Sequence, residues 1–184
     1  MRFFDLGATL VDESKRPDHI VDSIDEMNNY LDKLIEDNSR PVVFDYDGVL
    51  FEARWYEERI NMRDETEELL LEAMKRGENL RTAPIGFMVD WVKTLKNDLY
   101  VLSYMHNEIE YSNKKKEISE FYPIIPEEHV LMATSPENKI IHLQRILDEY
   151  GSFIYIDDNH PALMKYENHF GDECKFFHVS SLYA

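Results

Sequence analysis

Between residues 41 and 51 the chain reads Pro41-Val42-Val43-Phe44-Asp45-Tyr46-Asp47-Gly48-Val49-Leu50-Phe51. A short apolar run ends on two aspartates and breaks at a glycine. Buried parallel strands read as nearly continuous apolar runs, so Val42–Asp45 is expected as a strand. Asp45 and Asp47 then stand at its carboxyl end, where open α/β sheets bind their ligands.

Working outward, strands and helices alternate. Strands are expected at Leu99–Ser103, His129–Ala133, Phe153–Asp157 and Lys175–Val179. Helices are expected near 57–76 and 86–97, at Glu108–Phe121, after Ser135, and at Pro161–Phe170. Ser135 is a good N-cap and Pro136 a favoured first-turn residue. Ile140, Leu143, Ile146, Leu147 and Tyr150 share a face of that helix, and Gly151 stops it. Alternation of this kind predicts an α/β fold: a Rossmann-like, mostly parallel sheet with helices on both faces.

Two segments fall outside that core, which is read as 41–51 and 98–184. Residues 1–40 are read as an arm and a helix packed on it. Residues 18–38 place Ile20, Ile24, Met27, Leu31 and Leu34 on one helical face; the part played by 1–16 is open. Between Phe51 and Asp98 lie 46 residues, against roughly 20–25 for an ordinary crossover. Residues 52–97 are therefore read as a small helical insert beside the Asp45–Asp47 turn, either a lid over the strand ends or a longer crossover packed on one face. Its Trp55, Tyr56, Phe87 and Trp91 suit helix packing, or stacking on a base or sugar.

Composition narrows the classes. The chain has 184 residues, 20 Lys and Arg against 37 Asp and Glu, and a net charge of −17. Phosphate backbones need cationic surfaces, so nucleic acid is not an expected partner. A small anionic substrate stays possible, because surface charges farther than the ~8 Å Debye length are screened. It would need a local cation, such as a metal with a lysine. No run approaches the ~18 apolar residues of a membrane span, and the start lacks a secretory layout. The single cysteine, Cys174, allows no internal disulfide. A soluble cytoplasmic protein without a membrane partner is expected, its oligomeric state open.

Residues able to do chemistry collect at one edge of this expected sheet. Asp45 and Asp47 follow the first strand and Ser103 ends the second. Lys139 lies about one turn into the helix after the third, and Asp157 and Asp158 end the fourth. Parallel strands point their carboxyl ends the same way, so the set should converge. Carboxylates, a hydroxyl and an ammonium suit a phosphoryl group on Mg2+, an ion held by one or two carboxylates plus waters and substrate phosphate. A carboxylate can also attack phosphorus, while a second one moves the proton of the leaving oxygen. The alternative of a calcium loop fails, since Val49 and Leu50 stand where it wants an acid or amide and a glycine.

These segments resemble the four motifs of the haloacid dehalogenase superfamily of phosphohydrolases. Phe44-Asp45-Tyr46-Asp47-Gly48-Val49-Leu50-Phe51 is similar to the first. Ser103 after Tyr100-Val101-Leu102 is similar to the second, Lys139 to the third, and Phe153-Ile154-Tyr155-Ile156-Asp157-Asp158-Asn159 to the fourth. The resemblance covers 41–179 in order. It implies a magnesium-dependent phosphatase acting on a small phosphorylated metabolite through an aspartyl phosphate. Asp45 would be nucleophile and metal ligand, Asp47 acid/base and backbone-carbonyl ligand, Asp157 a metal ligand, and Asp158 an additional ligand or a group behind the ligands. Ser103 and Lys139 would hold the phosphate, and residues 52–97 would be a small helical cap insert that selects the substrate. Within that superfamily Asp47 favours phosphatase or phosphomutase over dehalogenase chemistry. Tyr104-Met105-His106 follows Ser103 where many relatives carry a small residue.

Rivals from the residues alone remain. Lys114, Lys115 and Lys116 compete for the third motif, although they read as a solvated helix face. Asp157-Asp158-Asn159-His160-Pro161 also reads as a helix start. A catalytically silent binding or regulatory module with the same fold is the alternative function. No Gly-rich phosphate loop, Gly-x-Ser-x-Gly elbow or zinc cluster is present.

Overall fold

The computed structural model describes Lys33, Ile35, residues 38–53 and residues 81–182. The expected arm at 1–16, most of the helix at 18–38, the helix near 57–76, and Trp55 and Tyr56 lie outside the described residues.

Five strands form one parallel sheet: β1 (Val42–Phe44), β4 (Leu99–Tyr104), β5 (Val130–Ala133), β6 (Ile154–Asp157) and β7 (Lys175–His178). Their spatial order is β5-β4-β1-β6-β7. From β1 the chain winds outward through β4 to β5, then crosses back to β6 on the other side of β1. The direction of winding therefore reverses at β1, the place where such sheets open a crevice for ligands. A second sheet pairs β2 (Phe51–Ala53) antiparallel with β3 (Arg81–Pro84).

Alternation along the strands divides the core into two layers. Val42, Phe44, Leu99, Val101, Ile154 and Ile156 pack in one buried cluster with Met88 and Val92 of α1 (Gly86–Val92) and Ile118 of α2 (Glu108–Phe121). Val43, Tyr100, Leu102 and Tyr155 pack on the other face with Leu143 and Ile146 of α3 (Pro136–Tyr150). Leu163, Tyr166 and Phe170 of α4 (His160–Phe170) complete that layer. The sheet is thus covered on both sides, which is why its strands are apolar at nearly every position.

Helix ends follow the local chemistry. Ser135 accepts a hydrogen bond from the Asn138 N–H, Pro136 enters the first turn, and Gly151 ends α3 at φ 74°. Asn107 caps α2 by accepting from the N–H groups of Ile109 and Glu110. Asn159 caps α4 by accepting from the Ala162 N–H. The acidic turn after β6 is therefore a helix start.

Part of the segment 52–97 packs on the main core. From Gly86 it runs as α1, whose Met88 and Val92 are fully buried in the main core. Trp91 packs edge-on against Phe44 with ring centroids 6.0 Å apart, while Phe87 is exposed. Trp91 is thus a packing residue. The β2–β3 pair was not foreseen: it joins short strands 27 residues apart in the chain, between Ala53 and Arg81.

Candidate functional site

Strand register explains why distant acids meet. Phe44 pairs with Ile156, so the next residues, Asp45 and Asp157, emerge side by side at the switch point. The Asp45 N–H donates to the Ile156 carbonyl at 2.8 Å, continuing the ladder to the carboxylate itself. Asp45, Asp157 and Asp158 each offer a carboxylate oxygen within 4.8 Å of the others.

The turn after β1 is held firmly. The N–H groups of Leu50 and Phe51 both donate to the Tyr46 carbonyl at 3.1 Å, and the Tyr122 hydroxyl donates to the Leu50 carbonyl at 2.7 Å. Tyr46 is buried, stacks on Phe51 at 4.4 Å and donates its hydroxyl hydrogen to Glu117. Gly48 sits at φ 72°, a left-handed conformation that costs a side-chain residue roughly 1–2 kcal/mol. A Cβ there would overlap the Asp158 carboxylate, lying 2.7 Å from its Cγ. Glycine is what lets Asp158 approach the turn.

Each aspartate of the Asp45–Asp47 pair has its own lysine. Lys139 Nζ donates to Asp45 Oδ1 at 3.0 Å, to the Tyr155 hydroxyl at 3.0 Å and to Asp157 Oδ2 at 3.5 Å. Tyr155 in turn donates to Asp157 Oδ2 at 2.6 Å, and the Asn159 N–H donates to Asp157 Oδ1 at 2.7 Å. On the other side Lys114 Nζ donates to Asp47 Oδ2 at 3.0 Å and to Ser103 Oγ at 2.8 Å, and also to the Tyr104 carbonyl. It pairs with Glu110 Oε1 at 3.0 Å. Ser103 Oγ lies 3.5 Å from Asp47 Oδ2.

Electrostatics set this cluster apart from the rest of the core. Burial pushes the Asp45 carboxyl up to about 7; Lys139 opposes the shift, while Asp157 and Asp47 add to it. Burial by itself would lower Lys139, yet Asp45 and Asp157 hold its ammonium above the usual lysine range. One ammonium thus serves two carboxylates, with Asp158 beside them, and the group is short of positive charge. A divalent cation would supply it and favour carboxylate at Asp45. Two ligands opposite each other on Mg2+ stand about 4.2 Å apart, from bonds of ~2.1 Å, so small side-chain rotations would let these oxygens share one ion. The donor set, all oxygen, fits magnesium.

The six candidate site residues thus meet in one place. Asp45, Asp47, Ser103, Lys139, Asp157 and Asp158 lie around the carboxyl ends of β1, β4 and β6; Asp47 leaves 35% of its side chain open and Asp158 is half-buried, while the other four are buried. Lys114 overturns the solvated-face reading. Its side chain is 0% exposed, whereas Lys115 pairs at the surface with Glu127 at 2.8 Å and Lys116 is exposed. The signal was the spacing Glu110, Lys114, Ile118: Ile118 is core, and a residue four earlier shares its face. Tyr155 was also missed as a polar participant, because its strand reads as plain core. His106 belongs to a loop, where Nδ1 lies 2.9 Å from Glu110 Oε2.

Fold and site together define a parallel α/β protein with an acidic cluster at its topological switch point, buttressed by two buried lysines. The chain matches no model of a known protein family and no curated protein sequence. No helix among the described residues is long and apolar enough to cross a membrane.

Proposed function

We propose that the protein is a magnesium-dependent phosphatase of the haloacid dehalogenase type, hydrolysing a small phosphorylated metabolite. The observation that carries this reading is the convergence of Asp45, Asp157 and Asp158 within 4.8 Å, with Lys139 3.0 Å from Asp45 and the Asp47 side chain 35% exposed beside them.

In the first half-reaction an Asp45 carboxylate oxygen bonds to phosphorus as the bond to the leaving oxygen breaks. Asp47 gives its proton to that oxygen. In the second, Asp47 takes a proton from water as the water oxygen attacks phosphorus, and the bond from phosphorus to Asp45 breaks. Lys139 offsets negative charge at Asp45 Oδ1, and the Ser103 hydroxyl lies beside the acid/base group. Asp45, Asp157, Asp158 and the Asp47 backbone carbonyl would hold magnesium, whose charge supports transfer of an anionic group.

Phosphate release from p-nitrophenyl phosphate tests the reading. Turnover with magnesium, abolished in Asp45→Asn, is the expected result. A well-folded protein inert on a broad panel of phosphate esters would instead mark a silent module with this fold.

A further inference from the structure

We propose that Lys114 is the positioning residue for Asp47, fixing the proton-transferring carboxyl against the leaving oxygen, and that Glu110 and His106 hold Lys114 in place. The inference rests on the phosphatase reading above and adds to it a residue outside the segments that suggested it.

Placement carries the proposal. Lys114 projects from α2 into the gap between the Asp45–Asp47 turn and the end of β4. An ammonium has three protons, and four oxygens surround this one: Asp47 Oδ2, Ser103 Oγ, Glu110 Oε1 and the Tyr104 carbonyl. With 0% of its side chain exposed, Lys114 reaches no substrate. Its protons are spent on protein oxygens, so it acts through them. It fixes Asp47 Oδ2, and the Ser103 hydroxyl on the same ammonium lies 3.5 Å from that oxygen. One edge of the Asp47 carboxyl is thereby anchored while a third of the side chain stays open.

The anchor is itself braced. Glu110 Oε2 accepts from the His106 backbone N–H at 2.7 Å and lies 2.9 Å from His106 Nδ1, while Oε1 faces Lys114. The Lys114 ammonium also lies 5.2 Å from the centre of the Tyr46 ring, within cation–π range. A misplaced proton donor costs rate without costing the nucleophile anything.

Leaving-group dependence separates positioning from general damage. kcat/KM reads the steps up to departure of the leaving oxygen. An alkyl phosphate needs a proton delivered to that oxygen, whereas 2,4-dinitrophenyl phosphate does not. In Lys114→Met, kcat/KM should fall about 100-fold on the alkyl ester, the lower range for general acid catalysis, and less than about 5-fold on the dinitrophenyl ester. Glu110→Gln should show the same asymmetry more weakly, and it decides the matter if Lys114→Met does not fold. Equal losses on both esters would overturn the proposal while leaving the phosphatase reading intact. A wild-type protein that turns over neither ester would remove both.

Discussion

Tyr155 and Asp157 sit two residues apart on the same side of β6, and the tyrosine hydroxyl donates to Asp157 Oδ2 at 2.6 Å while accepting from Lys139 at 3.0 Å. One buried hydroxyl thus joins a metal-ligand candidate to the lysine that pairs with Asp45, the proposed nucleophile. Tyr155→Phe removes only that oxygen. Groups that orient ligands typically matter 10- to 100-fold for metal affinity, so magnesium binding measured by calorimetry should weaken about 10-fold. Urea unfolding should also show a loss of about 1–3 kcal/mol, the cost of leaving buried partners unsatisfied. Unchanged magnesium affinity would reduce Tyr155 to a packing residue.

Gly48 makes a second, sharper test. Its φ of 72° disfavours a side chain, and an added methyl group would lie 2.7 Å from Cγ of Asp158. In Gly48→Ala the turn must shift or Asp158 must withdraw. The expected outcome is a loss of roughly 1–2 kcal/mol from the left-handed backbone, with much weaker magnesium binding. Gly151→Ala has a φ of 74° with nothing within 4 Å of the added carbon. It should show a similar backbone loss and keep magnesium binding, so the pair separates strain from site damage.

The sheet was legible because parallel strands covered on both faces leave an apolar record at almost every position. Ser135, Pro136 and Gly151 fixed α3 by local rules alone. The acids were legible because each follows such a run, and the register then brings Asp45 beside Asp157 without further information. Lys114 was not legible as buried, since three consecutive lysines look like a wet surface unless Ile118 is used to orient the helix. The β2–β3 pairing had no signal either. Strands of three and four residues are too short to alternate, and their partnership depends on how the chain returns across 27 residues.

Magnesium itself should act as a ligand of the folded state. A ligand at a hundred times its dissociation constant adds about 2.7 kcal/mol to stability. The melting temperature should therefore rise with magnesium in the wild type and rise much less in Asp158→Asn. Asp158 is the half-buried member of the acidic group, so its variant should retain the fold. Circular dichroism establishes that, and a wild-type melting temperature indifferent to magnesium would sink the metal site.

Cys174 offers a pH test remote from the site. It is buried among Phe153, Phe170 and Phe176. Burial pushes the thiol up to about 11, with a Phe153 backbone hydrogen bond opposing and Glu173 adding to the shift. An unfolded cysteine titrates near ~8.5. A folded value above the unfolded one means the thiol's contribution is fully present below about pH 8.5 and is lost as the pH rises towards 11. Urea stability should therefore decline across that window, and part of the decline should vanish in Cys174→Ala, which leaves the tyrosines to account for the remainder. A thiol reagent at pH 8 should label the native protein slowly and the unfolded protein at once. Fast labelling of the native protein would mean that the layer formed by α3 and α4 opens far more readily than its packing implies.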